Sequence, residues 1–195
     1  MTTKAEKLER IQKALQDYQL HGSDLFDHQA EEAKAAVRHR GLLLLDQRAR
    51  SRHELKQRLL ALDFDDEVVE SVLVDFERAK LVDDHAFATQ WVKQRHQRRG
   101  KSRAILDQEL QQKGVSAEIR YQALDQITAA DEGDMALMLA RKKARTLRHI
   151  PSDRAEKDKC LRRIIGVLAR RGFGQSLCLT QATQALDERI AELAE

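Results

Sequence analysis

"LDQELQQKGV", residues 106 to 115, decides the fold because its grammar recurs twice. "LKQRLLALDF" (55 to 64) and "IIGVLARRGF" (164 to 173) follow the same rule. Each opens on an apolar residue (Leu55, Leu106, Ile164) and places a leucine four positions later (Leu59, Leu110, Leu168), one face of a helix. Each closes on Asp or Gly followed by an apolar side chain: Asp63-Phe64, Gly114-Val115, Gly172-Phe173. The offsets, 51 and 58 residues, are the spacing of a module rather than of a helix. A residue that tolerates left-handed backbone ends each helix and frees the chain to turn, and the apolar residue after it tucks back under the helix.

Working outward, a third helix follows each turn. Its stripes are Val69, Val72, Leu73 and Phe76 in the first module, Ile119, Ala123 and Ile127 in the second, and Cys178, Ala182, Ala185 and Leu186 in the third. A further helix precedes each unit, at 36 to 47, 84 to 99 and 134 to 147. Ser51-x-x-Glu54 and Asp153-x-x-Glu156 fit capping boxes where the middle helices begin, and Asp83 is placed to cap the helix from 84. Leu8, Ile11, Leu15 and Tyr18 share one stripe in an N-terminal extension, with Ser23 or Asp24 available to cap the helix after it. The expectation is an all-α protein of tandem three-helix repeats: an extension over 1–35 and repeats over 36–82, 83–130 and 131–195. Three short helices bury little area alone, so the repeats lean on one another in an elongated, curved body.

Composition agrees. Charged residues make up 34% of the 195, aromatics 4%, and proline occurs once, at Pro151, a balance that favours helix. Cys160 and Cys178 lie on apolar-periodic stretches and read as buried thiols of a reducing, cytoplasmic protein. The sequence has neither a run of about 18 apolar residues nor an apolar signal stretch, so no membrane contact is expected.

No motif reads as catalytic. "GKS" at 100 to 102 ends like a phosphate loop, but Arg95 stands at the first glycine position and no strand leads in. "HEL" at 53 to 55 has Gln57 where a zinc protease needs its second histidine, and the remaining histidines lack metal-ligand spacing. Asp65-Asp66 and Asp83-Asp84 sit at helix starts, where the dipole accounts for them. Neither an enzyme nor a cofactor is expected.

The charge pattern points to a partner. Net charge is only +3, yet residues 93 to 103 carry Lys93, Arg95, Arg98, Arg99, Lys101 and Arg103 without an acid. "RKKARTLR" (141 to 148) adds Arg141, Lys142, Lys143 and Arg145, and "RARSR" lies at 48 to 52. Such runs suit an anionic surface or nucleic-acid phosphates. Six phosphate contacts to a single strand would give a log–log salt slope of roughly −4. Aromatic interleaving is lacking, since Phe87, Trp91 and Tyr121 fit helix interiors, so base stacking is not expected.

These residues resemble the RecX family, regulators of the RecA recombinase. The likeness rests on "SRHELKQRLLALDF", on "AKLVDDHAFATQWVKQRHQRRGKSRAILDQELQQKGVSAEIRYQAL" and on "LARRGF", spanning about residues 36 to 190. Its most specific part is Leu81-x-Asp83-Asp84 with Phe87-Ala88, then Gly100, then Glu109-Leu110-x-x-Lys113-Gly114; Gly172 and Phe173 repeat the ending. Asp63 stands where family members commonly have glycine. The resemblance implies tandem three-helix repeats, and a monomer that binds RecA filaments on single-stranded DNA. It further implies inhibition of RecA's ATPase, strand exchange and coprotease stimulation, in DNA repair, recombination and the SOS response. Some members bind single- or double-stranded DNA themselves. A helix-turn-helix transcription regulator and a helical adaptor are the rival readings; the first would show an operator preference, the second no affinity for DNA or RecA.

Overall fold

The structure, a computed structural model, describes residues 28 to 194. The stripe expected over residues 8 to 18 and the cap at Ser23 or Asp24 lie outside the described residues. Within them the chain is all-helical: α1 (His28–Gln47), α2 (Arg52–Leu60), α3 (Asp66–Arg78), α4 (Asp84–Arg99), α5 (Arg103–Gln112), α6 (Ala117–Leu124), α7 (Ala129–Ala144), α8 (Arg154–Ala169) and α9 (Gln175–Ala194). Contacts group them into two units: residues to Arg48 with Leu55–Ala79, and Ala49–Glu54 with Lys80–Glu195.

In the first unit α1 packs on α3. Val37 and Leu44 of α1, Leu55 and Leu59 of α2, and the expected stripe Val69, Val72, Leu73 and Phe76 are all buried. Gly41 allows the approach: a Cβ there would lie 2.6 Å from the Phe76 ring. Asp63 takes left-handed backbone (φ 61), so the turn survives the exchange of glycine for aspartate. Asp is among the few other residues that tolerate this conformation. Two residues on, Asp65 caps α3 by accepting from the amides of Glu67 (2.9 Å) and Val68 (3.1 Å).

The second unit holds two cores. One gathers Phe87, Ala88 and Val92 of α4 with Leu106, Leu110, Val115, Ala123, Leu124 and Ile127. The other is built from α7, α8 and α9 around Ala136, Ala140, Ile164, Leu168, Phe173, Cys178 and Leu186. Both cysteines are buried, free thiols, and burial raises the Cys178 pKa.

A joint made the same way occurs twice in this unit. At the start of α5, Ser102 is buried, caps the helix through Ile105 N (3.3 Å), and donates its own amide to Arg171 O (3.0 Å). Arg103 N donates to the Glu132 carboxylate at 2.8 Å. At the start of α2, Ser51 is buried, accepts from Glu54 N (3.1 Å), and donates its hydroxyl to Lys113 O (2.6 Å). Arg52 N donates to the Asp84 carboxylate at 2.8 Å. Each joint therefore joins a buried serine, the carbonyl before a turn glycine, and an acid at the start of another helix. Gly114 (φ 70) and Gly172 (φ 83) are needed twice over: for the left-handed turn, and because a Cβ would strike His53 at 2.3 Å or Ile105 at 2.1 Å.

Three expectations need correction. Tyr121 is 69% exposed, not interior. Residues 119 and 123 face the core, and at 100° per residue position 121 points away from both. The helix expected from 134 begins at Ala129, because Thr128 and Asp131 form a reciprocal capping box with Asp in the usual Glu place. Asp153 does cap α8 through Glu156 N (2.7 Å), but the Glu156 carboxylate reaches Ser152 N and Oγ instead (2.7 and 3.0 Å).

Candidate partner-binding surface

The basic run at 93 to 103 is divided by the fold. Gly100 ends α4 in left-handed backbone (φ 57), and Ser102 starts α5. The Gly-Lys-Ser triplet is thus the hinge between two helices, with its hydroxyl spent on a cap. Glu109, one α5 residue outside the run, collects much of the charge. Its carboxylate accepts from Trp91 Nε1 (2.9 Å), from Arg95 Nη1 (3.4 Å) and from Lys101 Nζ. The Arg95 guanidinium also stacks on Trp91 at 3.8 Å, and the Lys113 ammonium lies 4.4 Å from the same ring. Such stacked cations contribute about 0.5–2 kcal/mol each. Lys113 pairs with Glu54 at 3.3 Å as well.

Arg103 is committed too, with its guanidinium donating to Ile127 O at 3.2 Å. What remains is Lys93, Arg98 and Arg99 on α4, all exposed and without a hydrogen bond or ion pair to a described residue. Cations in the last turn of a helix favour its dipole, but Arg98 and Arg99 exceed what that requires.

The second run divides likewise. Arg141 grips Glu188 of α9 with two bonds, Nε at 2.7 Å and Nη2 at 2.8 Å. The Arg141 guanidinium, helped by the Gln184 amide, holds the Glu188 carboxyl down to about 2, against an ordinary 4.5. Lys142, Lys143 and Arg145 make no such bond. In the two helices, Arg98 and Lys143 hold the same place, counted from the caps Asp83 and Thr128.

A pH dependence follows from Glu188. Its depressed pKa stabilises the folded state above about 4.5, and this contribution disappears as pH falls through about 2. Thermal midpoints measured across that window should drop for the parent and drop less for Glu188→Gln. Parallel curves would rule the pair out as a source of stability.

The motif residues have structural places. Asp83 caps α4 through Ala86 N (3.0 Å), and that bond lowers its pKa. Asp84 does more than meet the helix dipole, since it holds the amide of Arg52. Phe87 and Leu110 are core, with the Phe87 and Trp91 rings 5.5 Å apart, and Phe173 is buried beside Gly172. Among the described residues, no group of three or more His, Cys, Asp or Glu is placed to hold a metal ion. None of their helices is long and apolar enough to cross a membrane.

Comparison with known proteins follows this architecture. The family description "RecX, first three-helix domain" matches residues 38–75, and "RecX, second three-helix domain" matches residues 83–124. A regulatory protein RecX from Corynebacterium efficiens is 54% identical over 98% of this chain and 93% of its own. One from Amycolatopsis mediterranei is 41% identical over 76% of this chain and 82% of its own. The crystal structure of RecX from Lactobacillus salivarius shares the fold, with a TM-score of 0.67 over 81% of this chain and 99% of that one, at 22% identity.

Proposed function

This chain belongs to the RecX family of regulatory proteins, and from that premise we propose that it binds the RecA filament on single-stranded DNA and inhibits it. The inhibited activities are ATP hydrolysis, strand exchange and coprotease stimulation, and the outcome is control of DNA repair and recombination. The protein acts as a cytoplasmic monomer, with no catalytic step of its own.

One observation supports the choice of an anionic partner. Two helices, α4 and α7, carry cations that no described residue neutralises: Arg98 and Arg99 in the last turn of α4 with Lys93 further back along it, and Lys142, Lys143 and Arg145 at the end of α7. Partners inside the fold satisfy the remaining four basic candidates. Unpaired charge held at equivalent helix ends suits acidic RecA surface or exposed phosphate, and it raises encounter rates with either. The contact is electrostatic and backbone-directed, since neither group of cations includes an aromatic side chain.

The test is a titration into RecA assembled on single-stranded DNA while ATP hydrolysis is followed. Hydrolysis should fall in proportion to added protein, and less so at raised salt. A flat response overturns the proposal.

A further inference from the structure

The third repeat departs from the second at one place. Residues 100–102 suffice to join α4 to α5, whereas residues 145–153 lie between α7 and α8. With Leu110 aligned on Leu168 and Gly114 on Gly172, α8 also begins about two turns earlier than α5. The position matching the buried cap Ser102 is then Cys160, inside a helix. The surface that forms a joint in α2 and α5 is overgrown here by added chain.

This added chain builds a cavity of about 680 Å³. All its lining side chains except Cys160 and Arg163 come from residues 146 to 159. Its charged and titratable lining is Arg148, His149, Asp153, Glu156, Lys159 and Arg163. Lys159 and Arg163 are four residues apart, on one face of α8. Both acids are already engaged: Asp153 caps the helix, and Glu156 accepts from Ser152 N and Oγ with His149 at 3.8 Å. Arg148, Lys159 and Arg163 are exposed and make no hydrogen bond or ion pair with a described residue. Arg163 also borders a smaller void shared with Lys143, so the cavity continues the basic end of α7.

We propose that this cavity seats the phosphate backbone of a single nucleic-acid strand, with Arg148, Lys159 and Arg163 as its contacts. Insertions in one repeat of an array commonly map to a binding face. The lining carries no Phe, Tyr or Trp, and its one aromatic ring is the imidazole of His149, so recognition falls mainly to phosphates. The single strand is the one that the proposed filament partner carries. The inference rests on the reading that the protein works on a DNA-bearing filament, and it adds where the strand lies.

Binding of a labelled oligothymidylate to the full chain, without RecA, tests it between about 50 and 200 mM salt. The triple variant Arg148→Gln, Lys159→Gln, Arg163→Gln should bind at least about tenfold more weakly, with a log–log slope shallower by about 2. Arg148→Lys with Arg163→Lys keeps the charge and should keep the slope, while Arg40→Gln with Arg58→Gln should change nothing. All the substituted side chains are exposed, and circular dichroism checks the fold. An unchanged triple variant overturns the proposal, as does a parent that binds no strand. Polyglutamate competing as well as the strand assigns the cavity to an acidic protein surface and overturns it. Pyrophosphate binding through the trio, without strand binding, assigns it to free nucleotides and overturns it equally. Strand binding through the trio by a protein that leaves RecA's ATPase untouched upholds the cavity and sinks the filament reading alone.

Discussion

Gly172→Ala should destabilise the second unit by about 3 kcal/mol, a large share of the 5–15 kcal/mol that holds a typical domain together. Two causes add. At φ 83 an L-residue costs roughly 1–2 kcal/mol. The new Cβ would also sit 2.1 Å from Ile105 Cγ1 and 2.7 Å from Ser102 Oγ, and overpacking of this kind costs about 1–3 kcal/mol. Neither neighbour can step aside freely: Ser102 is buried and holds both its cap and Arg171 O, while Cγ1 is not the far end of Ile105. Gly133→Ala is the internal comparison. It lies within α7 with nothing inside 4 Å of a new Cβ, so it should stabilise by about 0.5–1 kcal/mol. Chemical denaturation of both variants decides, and a Gly172→Ala shift under about 0.5 kcal/mol would show that the joint yields.

The second large effect concerns function. The triple variant Lys93→Gln, Arg98→Gln, Arg99→Gln should need at least about ten times more protein for half-inhibition of RecA's DNA-dependent ATPase, with its salt dependence reduced by about 2 in log–log slope. The fold should be untouched, because none of the three side chains is bonded to a described residue. Arg95→Gln with Lys101→Gln is the informative contrast. Those side chains hold Glu109 beside Trp91, so their loss should change the emission of the protein's single tryptophan and spare the inhibition. Full potency in the first variant would remove the α4 cluster from the interface and leave the family membership standing.

Most of the helical frame was legible in the sequence, because burial follows periodicity. Every stripe residue named from spacing in α3 and α9, and both leucines of α2 and α5, proved buried. The sorting of the cations was not legible. Arg95 and Lys101 meet Glu109 only once α4 and α5 fold against each other, and Arg141 meets Glu188 across 47 residues of chain. A window of sequence without acids says nothing about acids brought in by the fold. The joints escaped notice for a different reason. Three of their donors are main-chain amides, of Arg52, Ser102 and Arg103, which any residue but proline supplies, and the Ser51 hydroxyl reads in the sequence only as a helix cap. The added turns of α8 were hidden by the matching leucines, which align the repeats from their C-terminal ends.

Those amide donors bear on how the chain can change over generations. The bonds to Asp84 and Glu132 take only the main-chain amides of Arg52 and Arg103, so these two contacts do not themselves dictate which side chain stands there. Selection at these sites acts mainly against proline, which elsewhere is welcome at the first residue of a helix. Lineages can thus rewrite side chains at such positions while the amide bonds of the second unit persist. A chain of 22% identity that still superposes at a TM-score of 0.67 is what such inheritance would leave behind.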